Sequence, residues 1–274
     1  PLDDKRVVKI PGAKLRLGAD RDSMPWGWDN EYGKLEVTVD TVYMESQNIT
    51  VAEFWKFVTS GAYADKTNWA EPDFAWKEKT EIKFPKSWVL KDGKYYVNTL
   101  FGELVEAETC RWPVFCSLAE ATAYCTWKGG RIMSEAEYNR AAYTAPDEAK
   151  PRLHPWGNEK PTSEHCNIGL TNWAPTPVGT HPKGASAWGI HDLVGDAFEW
   201  TSTAFNGFPG FVKQETYHGY SADFFSGKHF VIKGGSYATD AALVRSTFRN
   251  WYQKYYPYMF AKFRVVYDKQ QGTK

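Results

Sequence analysis

The chain is 274 residues long, enough to bury a substantial core as one large domain or two small ones. Its 33 Lys and Arg balance 33 Asp and Glu, so no global charge draws it to nucleic acid or an acidic membrane. No run approaches the roughly 18 apolar residues of a membrane span, and no charged-then-apolar leader is evident.

Residues 1–45 read as short strands, VVKI, KLRLGA and KLEVTVDTVYM, the last with apolar–polar alternation. Thr50 is placed to cap a one-faced helix, VAEFWKFV. From Ser60 to Thr109 the chain is irregular and aromatic, with a strand pair around Asp92-Gly93. Ser117 and Glu120 are spaced as a capping box for a second helix running to Trp127. Ser134 and Glu137 repeat that spacing before YNRAAY, where Arg131, Glu135, Glu137 and Arg140 read as a cap and local ion pairs. Beyond Pro151 helical periodicity disappears; VIKGGSY and AKFRVVYD read as strands, with Arg249 and Arg264 tying loops to carbonyls. With 13 Trp, 16 Tyr and 16 Phe amid recurrent Gly and Pro, planar packing is expected to fix many of these loops. No repeat, low-complexity tract or linker divides the chain, so the expectation is one α+β domain over residues 1–274.

Cys110, Cys116, Cys125 and Cys166 match no zinc spacing. Cys125 lies in a helical pattern, as a buried thiol would. A Cys110–Cys116 disulfide stays open, because sequence does not fix the geometry it needs.

The segments VTVDTVYMESQNITVAEFWKFV, WPVFCSLAEATAYCTWKGGRIMSEAEYNRAA, HPWGN, HDLVGDAFEWTS, KGGSY and FRVV, in that order, resemble the formylglycine-generating-enzyme superfamily over nearly the whole chain. The resemblance implies a fold related to the C-type lectin domain: small twisted antiparallel sheets, a few short helices and long loops. A narrower likeness, in YYVNTLFG, FPGFVKQETYHGYSADFFSGKHFVIKGGSYAT and FRNWYQKYYPY, is to the C-terminal domain of ergothioneine-type sulfoxide synthases. Those iron enzymes use oxygen to join a cysteine-type thiol to the imidazole of trimethylhistidine. Their iron-binding histidines lie in a separate DinB-like helical domain. Here no helix-bundle segment carries HxxxH or HxE, and His154, His165, His181, His191, His218 and His229 are scattered through apparent loops. The resemblance therefore implies iron(II) ligands from a partner domain, with this chain forming a pocket wall for amine and thiol substrates.

Carried over residue by residue, the resemblance puts Trp251, Tyr252 and Lys254 at the substrate pocket. A Trp face attracts a trimethylammonium group by roughly 0.5–2 kcal/mol. Bacterial relatives often have an acidic residue where Tyr252 stands, so a charge contact is not carried over. From the residues alone, Trp251 serves equally as core, and Tyr255, Tyr256 and Tyr258 favour it. Tyr217 or Tyr220 is the implied proton donor to an oxygen intermediate, the loop not distinguishing them; either also reads as a buried tyrosine with a backbone partner. In formylglycine-generating enzymes the counterpart of HDLVGDAFEW wraps a structural calcium. That implies Asp192, the carbonyls of Gly195 and Ala197, and Glu199 as ligands, with Asn167 and Ile168 contributing to a second site. Without a metal, Asp192 and Glu199 would hold the turn by bonding backbone amides.

Two other functions fit the same fold. One is a non-catalytic ligand-binding or display module, such as the retroelement-diversified variable proteins, presenting Tyr, Asn and Trp near the last strands to a protein ligand. The other, oxidation of a peptide cysteine to formylglycine, is disfavoured because Arg245 to Tyr267 contains no thiol. A synthase would be cytoplasmic, a display protein extracellular or on the surface.

Overall fold

The computed structural model describes residues 5–146 and 151–271. In chain order its strands and α-helices are β1 (Val7–Ile10), β2 (Ala13–Leu17), β3 (Leu35–Val39), β4 (Val42–Glu45), α1 (Val51–Thr59), α2 (Glu71–Lys79), β5 (Trp88–Lys91), β6 (Lys94–Asn98), β7 (Leu104–Glu106), α3 (Leu118–Trp127), α4 (Glu135–Tyr143), β8 (Phe198–Ala204), β9 (His229–Lys233), β10 (Asn250–Gln253), β11 (Ala261–Lys262) and β12 (Val266–Tyr267). The strands form small sheets of order β1-β4-β12, β10-β9-β8-β11, β2-β3 and β5-β6-β7. Neighbours are antiparallel except β11 on β8. This is the α+β architecture of small sheets, short helices and long loops expected from the sequence.

Three helices begin as their sequences predict. The Thr50, Ser117 and Ser134 hydroxyls accept from the backbone N–H three residues on, and Glu53, Glu120 and Glu137 reach back to the cap N–H. The main core lies where α1 and α3 meet the end of the chain: Phe54 stacks on Tyr124 at 5.4 Å, and Phe263 packs edge-on to both. A second core joins α4 to β1 and β4 through Tyr138, Met44 and Ile10. All four cysteines are buried free thiols, so no Cys110–Cys116 disulfide forms.

The stretch AKFRVVYD, expected to be one strand, is shared between two sheets: β11 lies parallel to β8, and β12 antiparallel to β4. Between them the carbonyls of Phe263 and Val265 accept from the N–H groups of Ile49 and Glu45. Ala261, Phe263, Val265 and Tyr267 enter the main core, while Lys262 and Arg264 turn their charges inward to the loop before β8. In the KGGSY turn Gly234 has φ +88°, and a Cβ there would lie 2.1 Å from the Leu193 carbonyl oxygen. Only glycine allows the two backbones to approach this closely.

Candidate functional site

β10 is an edge strand, paired with β9 so that Trp251 lies opposite Val231 and Tyr252 opposite Phe230. Strand alternation sends these two side chains to opposite faces. Trp251 stacks on Phe205 at 4.1 Å and meets Tyr220 edge-on at 5.4 Å. Tyr220 stacks in turn on Trp28 at 4.1 Å, with Trp26 beyond it. Tyr217 lies at the edge of this wall, 5.4 Å from Tyr220 and 58% exposed. Two candidate tyrosines and the candidate tryptophan thus come together.

Tyr252 and Lys254 do not join them. Tyr252 packs against the main core and stacks on Tyr256, and the Lys254 ammonium pairs with buried Asp73 at 2.7 Å. Tyr255 donates to the same carboxylate at 2.9 Å.

A tight 3-10 turn at Asp29–Glu31 anchors the wall. Buried Asp29 accepts from the Ser221 hydroxyl and, at 3.3 Å, from the Gln214 N–H, tying down the loop that carries Tyr217 and Tyr220. Buried Glu31 accepts from the Trp28 N–H at 2.9 Å, Arg245 at 2.5 and 2.8 Å, and Thr247 at 2.6 Å. Burial, then the Glu31 and Asp29 carboxylates, push the Tyr220 phenol well above its ordinary range, so it stays protonated at neutral pH. Trp28 and the acidic turn were missed from sequence. The signal was WGWDNEY, where three consecutive polar residues adjoin aromatics in a segment read as short strands.

A cavity of about 500 Å³ lies nearby, lined by Leu15, Glu135, Tyr143, Phe208, Lys233 and Thr247. None of the sequence-predicted site residues borders it. Its buried charges are already satisfied: Glu135 by Arg249 at 2.8 and 3.0 Å, and Lys233 by the carbonyls of Ser246 and Phe248. The half-buried aromatic wall, where Trp28, Tyr220 and Trp251 meet, is the better candidate site. Glu135 also departs from its expected role in a local helix pair, since its partner lies 114 residues away.

The predicted calcium loop is occupied by side chains of this chain. The Lys262 ammonium donates to the carbonyls of Asp192 and Gly195, both at 2.6 Å. Arg264 takes both Glu199 carboxylate oxygens, at 2.5 and 3.0 Å, and Asp192 Oδ2 accepts from the Gly179 N–H at 2.7 Å. Asp192 thus bonds a backbone amide, while Glu199 meets a guanidinium. At the second position Asn167 donates to Asp196 at 2.8 Å and its carbonyl accepts from the Asp196 N–H; the Ile168 carbonyl accepts from Thr171. Asn167 Oδ1 is buried without a protein partner. Among the described residues no three His, Cys, Asp or Glu side chains gather as they would around a metal ion.

A sequence model of the sulfatase-modifying factor enzyme 1-like domain matches residues 2–269. The chain belongs to this family. Hercynine oxygenase of Mycobacterium tuberculosis (strain ATCC 25618 / H37Rv) is 33% identical over 252 residues, covering 92% of this chain and 58% of that protein. Ergothioneine biosynthesis protein 1 of Neurospora crassa is 28% identical over 95% of this chain and 37% of its own length. The formylglycine-generating enzyme of Mus musculus is 29% identical over 86% of this chain. The chain thus spans little more than half of the hercynine oxygenase it matches. PvdO from Pseudomonas aeruginosa (TM-score 0.58, 18% identity, 95% of this chain and 93% of that one) and Treponema denticola variable protein 1 (0.56, 13%, 98% and 100%) share the fold.

Proposed function

We propose that this member of the family is the substrate-pocket part of an ergothioneine-type, iron-dependent sulfoxide synthase, with iron held by a domain outside this chain. The wall of Trp28, Tyr220 and Trp251, with Tyr217 at its rim, carries the reading. Relatives named hercynine oxygenase and ergothioneine biosynthesis protein 1 support it. Ring faces attract a trimethylammonium group and repel none of its methyl surface. Tyr252 is neutral and turned to the other face of β10, so the cation is held by the rings rather than by a carboxylate on that strand. In this reading exposed Tyr217 donates a proton to a group presented from outside, while half-buried Tyr220 builds the wall. Iron(II), supplied by the partner, would provide the oxygen-activating chemistry.

The test is titration of the chain with trimethylhistidine, followed by tryptophan fluorescence, with and without an iron-loaded DinB-like helical domain. Saturable binding that weakens about tenfold in Trp251→Ala is expected, matching the loss of a contact worth about 1.4 kcal/mol. With the helical domain, a thiol and oxygen, Tyr217→Phe is expected to slow sulfoxide formation while leaving the binding curve in place. Failure of trimethylhistidine to bind under either condition would overturn the proposal. Binding without oxygen uptake when the domain is present would point instead to a ligand-binding module.

A further inference from the structure

We propose that the loop before β8 is clamped by a tethered cation, the Lys262 ammonium, in place of a divalent metal ion, and that the fold is consequently independent of calcium.

The geometry of residues 192–199 carries this. Asp192 (φ +55°), Gly195 (φ +91°) and Asp196 (φ +58°) all adopt the left-handed region, an arrangement L residues rarely sustain without compensation. The reversals bring the Asp192 and Gly195 carbonyl oxygens to one point, where Lys262 Nζ lies 2.6 Å from each. Lys262 is completely buried and enters from β11, whose parallel pairing sets it opposite Glu199.

A calcium ion needs six to eight oxygens at 2.3–2.6 Å. Here the two carbonyls already converge on an ammonium, the Glu199 carboxylate forms a two-pronged pair with Arg264, and Asp192 Oδ2 is held by the Gly179 N–H. Charge leads to the same conclusion. Two of the three carboxylate charges of Asp192, Asp196 and Glu199 are already balanced by the buried cations Lys262 and Arg264, so a further double charge would turn this buried loop from net negative to net positive. Tethering also removes a concentration dependence: a bound ion stabilises a fold by an amount that grows with the logarithm of its free concentration over Kd, whereas a side chain is always present. This inference is independent of the reaction the protein performs.

Thermal melting of the unaltered chain, Lys262→Met and Lys262→Gly, each in EDTA and in millimolar calcium, tests it. The unaltered chain is expected to melt at the same temperature in both. Lys262→Met keeps the volume but removes the donors, and its midpoint should fall on the order of 10 °C, with no recovery in calcium. Lys262→Gly opens the space beside the carbonyls and should melt higher in calcium than in EDTA. Direct calorimetric titration of calcium into the unaltered chain keeps the idea testable if neither variant folds. No heat above dilution is expected. Stoichiometric binding abolished by Asp192→Asn, or an unaltered chain that melts lower in EDTA and is restored by calcium, would overturn it.

Discussion

Arg264 is buried, yet its guanidinium is fully used. It pairs with Glu199 and donates to the Ser46 and His191 carbonyls and to Asn48 Oδ1. The Glu199→Gln and Arg264→Met changes each strand one buried charge, and each should destabilise the fold by about 3–5 kcal/mol in urea unfolding. A cost below 1 kcal/mol for either would show that the pair is not enclosed as described. The sequence foretold that Arg249 and Arg264 would reach carbonyls, because a guanidinium has donors to spare. It gave no hint of Lys262, since a lysine in a strand reads as solvent-facing until both faces of that strand prove to be covered. Lys233 has a different signature. Burial lowers its ammonium to about 8 from the ordinary 10.5, Glu135 opposing. The unfolded chain then binds more protons than the folded one between about 8 and 10.5, so Lys233 adds stability as pH rises through that window and loses it as pH falls through 8. The difference in urea midpoint between the unaltered chain and Lys233→Met is expected to move in favour of the unaltered chain from pH 8 to 10.5; the opposite slope would refute the assignment.

Capping boxes were legible because everything they need lies within four residues. Glu120 adds a long-range tie: fully buried, it caps α3 and accepts from the Tyr63 hydroxyl at 2.8 Å. Burial raises its pKa, the Ser117 and Tyr63 hydrogen bonds opposing. Glu120→Gln retains an acceptor and no longer buries a charge, so it should change stability by less than about 1 kcal/mol, whereas Glu120→Ala should cost about 2–3 kcal/mol by leaving donors unmet. Equal losses for the two, measured by thermal melting, would show that charge rather than hydrogen bonding matters there. Elements without local signals were missed. Helix α2 follows Ala70, which offers no side-chain cap, and buries Asp73 and Lys77 rather than an apolar stripe. Strand β8 starts with four consecutive buried residues, so it shows no alternation, and in sequence its first part reads as a ligand loop.

At the scale of the molecule the fold was legible from the order of motifs, since periodicity alone identifies only some of these short pieces. The site was legible in part. Tyr217, Tyr220 and Trp251 come together, but neighbours in sequence need not be neighbours in a pocket. Strand alternation separates Tyr252 from Trp251, and Asp73 on α2 captures Lys254. Trp28 reaches the wall from far upstream, a closeness that no linear pattern encodes.

The split of AKFRVVYD between two sheets has a consequence in time. Asn48 donates to the Phe263 carbonyl across 215 residues, and β4 obtains its second neighbour only when β12 arrives. At 5–20 residues per second a ribosome needs on the order of 10–40 s to span that interval. Over that interval the nascent chain carries β4 with one short edge unpaired, a state in which chaperone capture and mispairing compete with the arrival of β12.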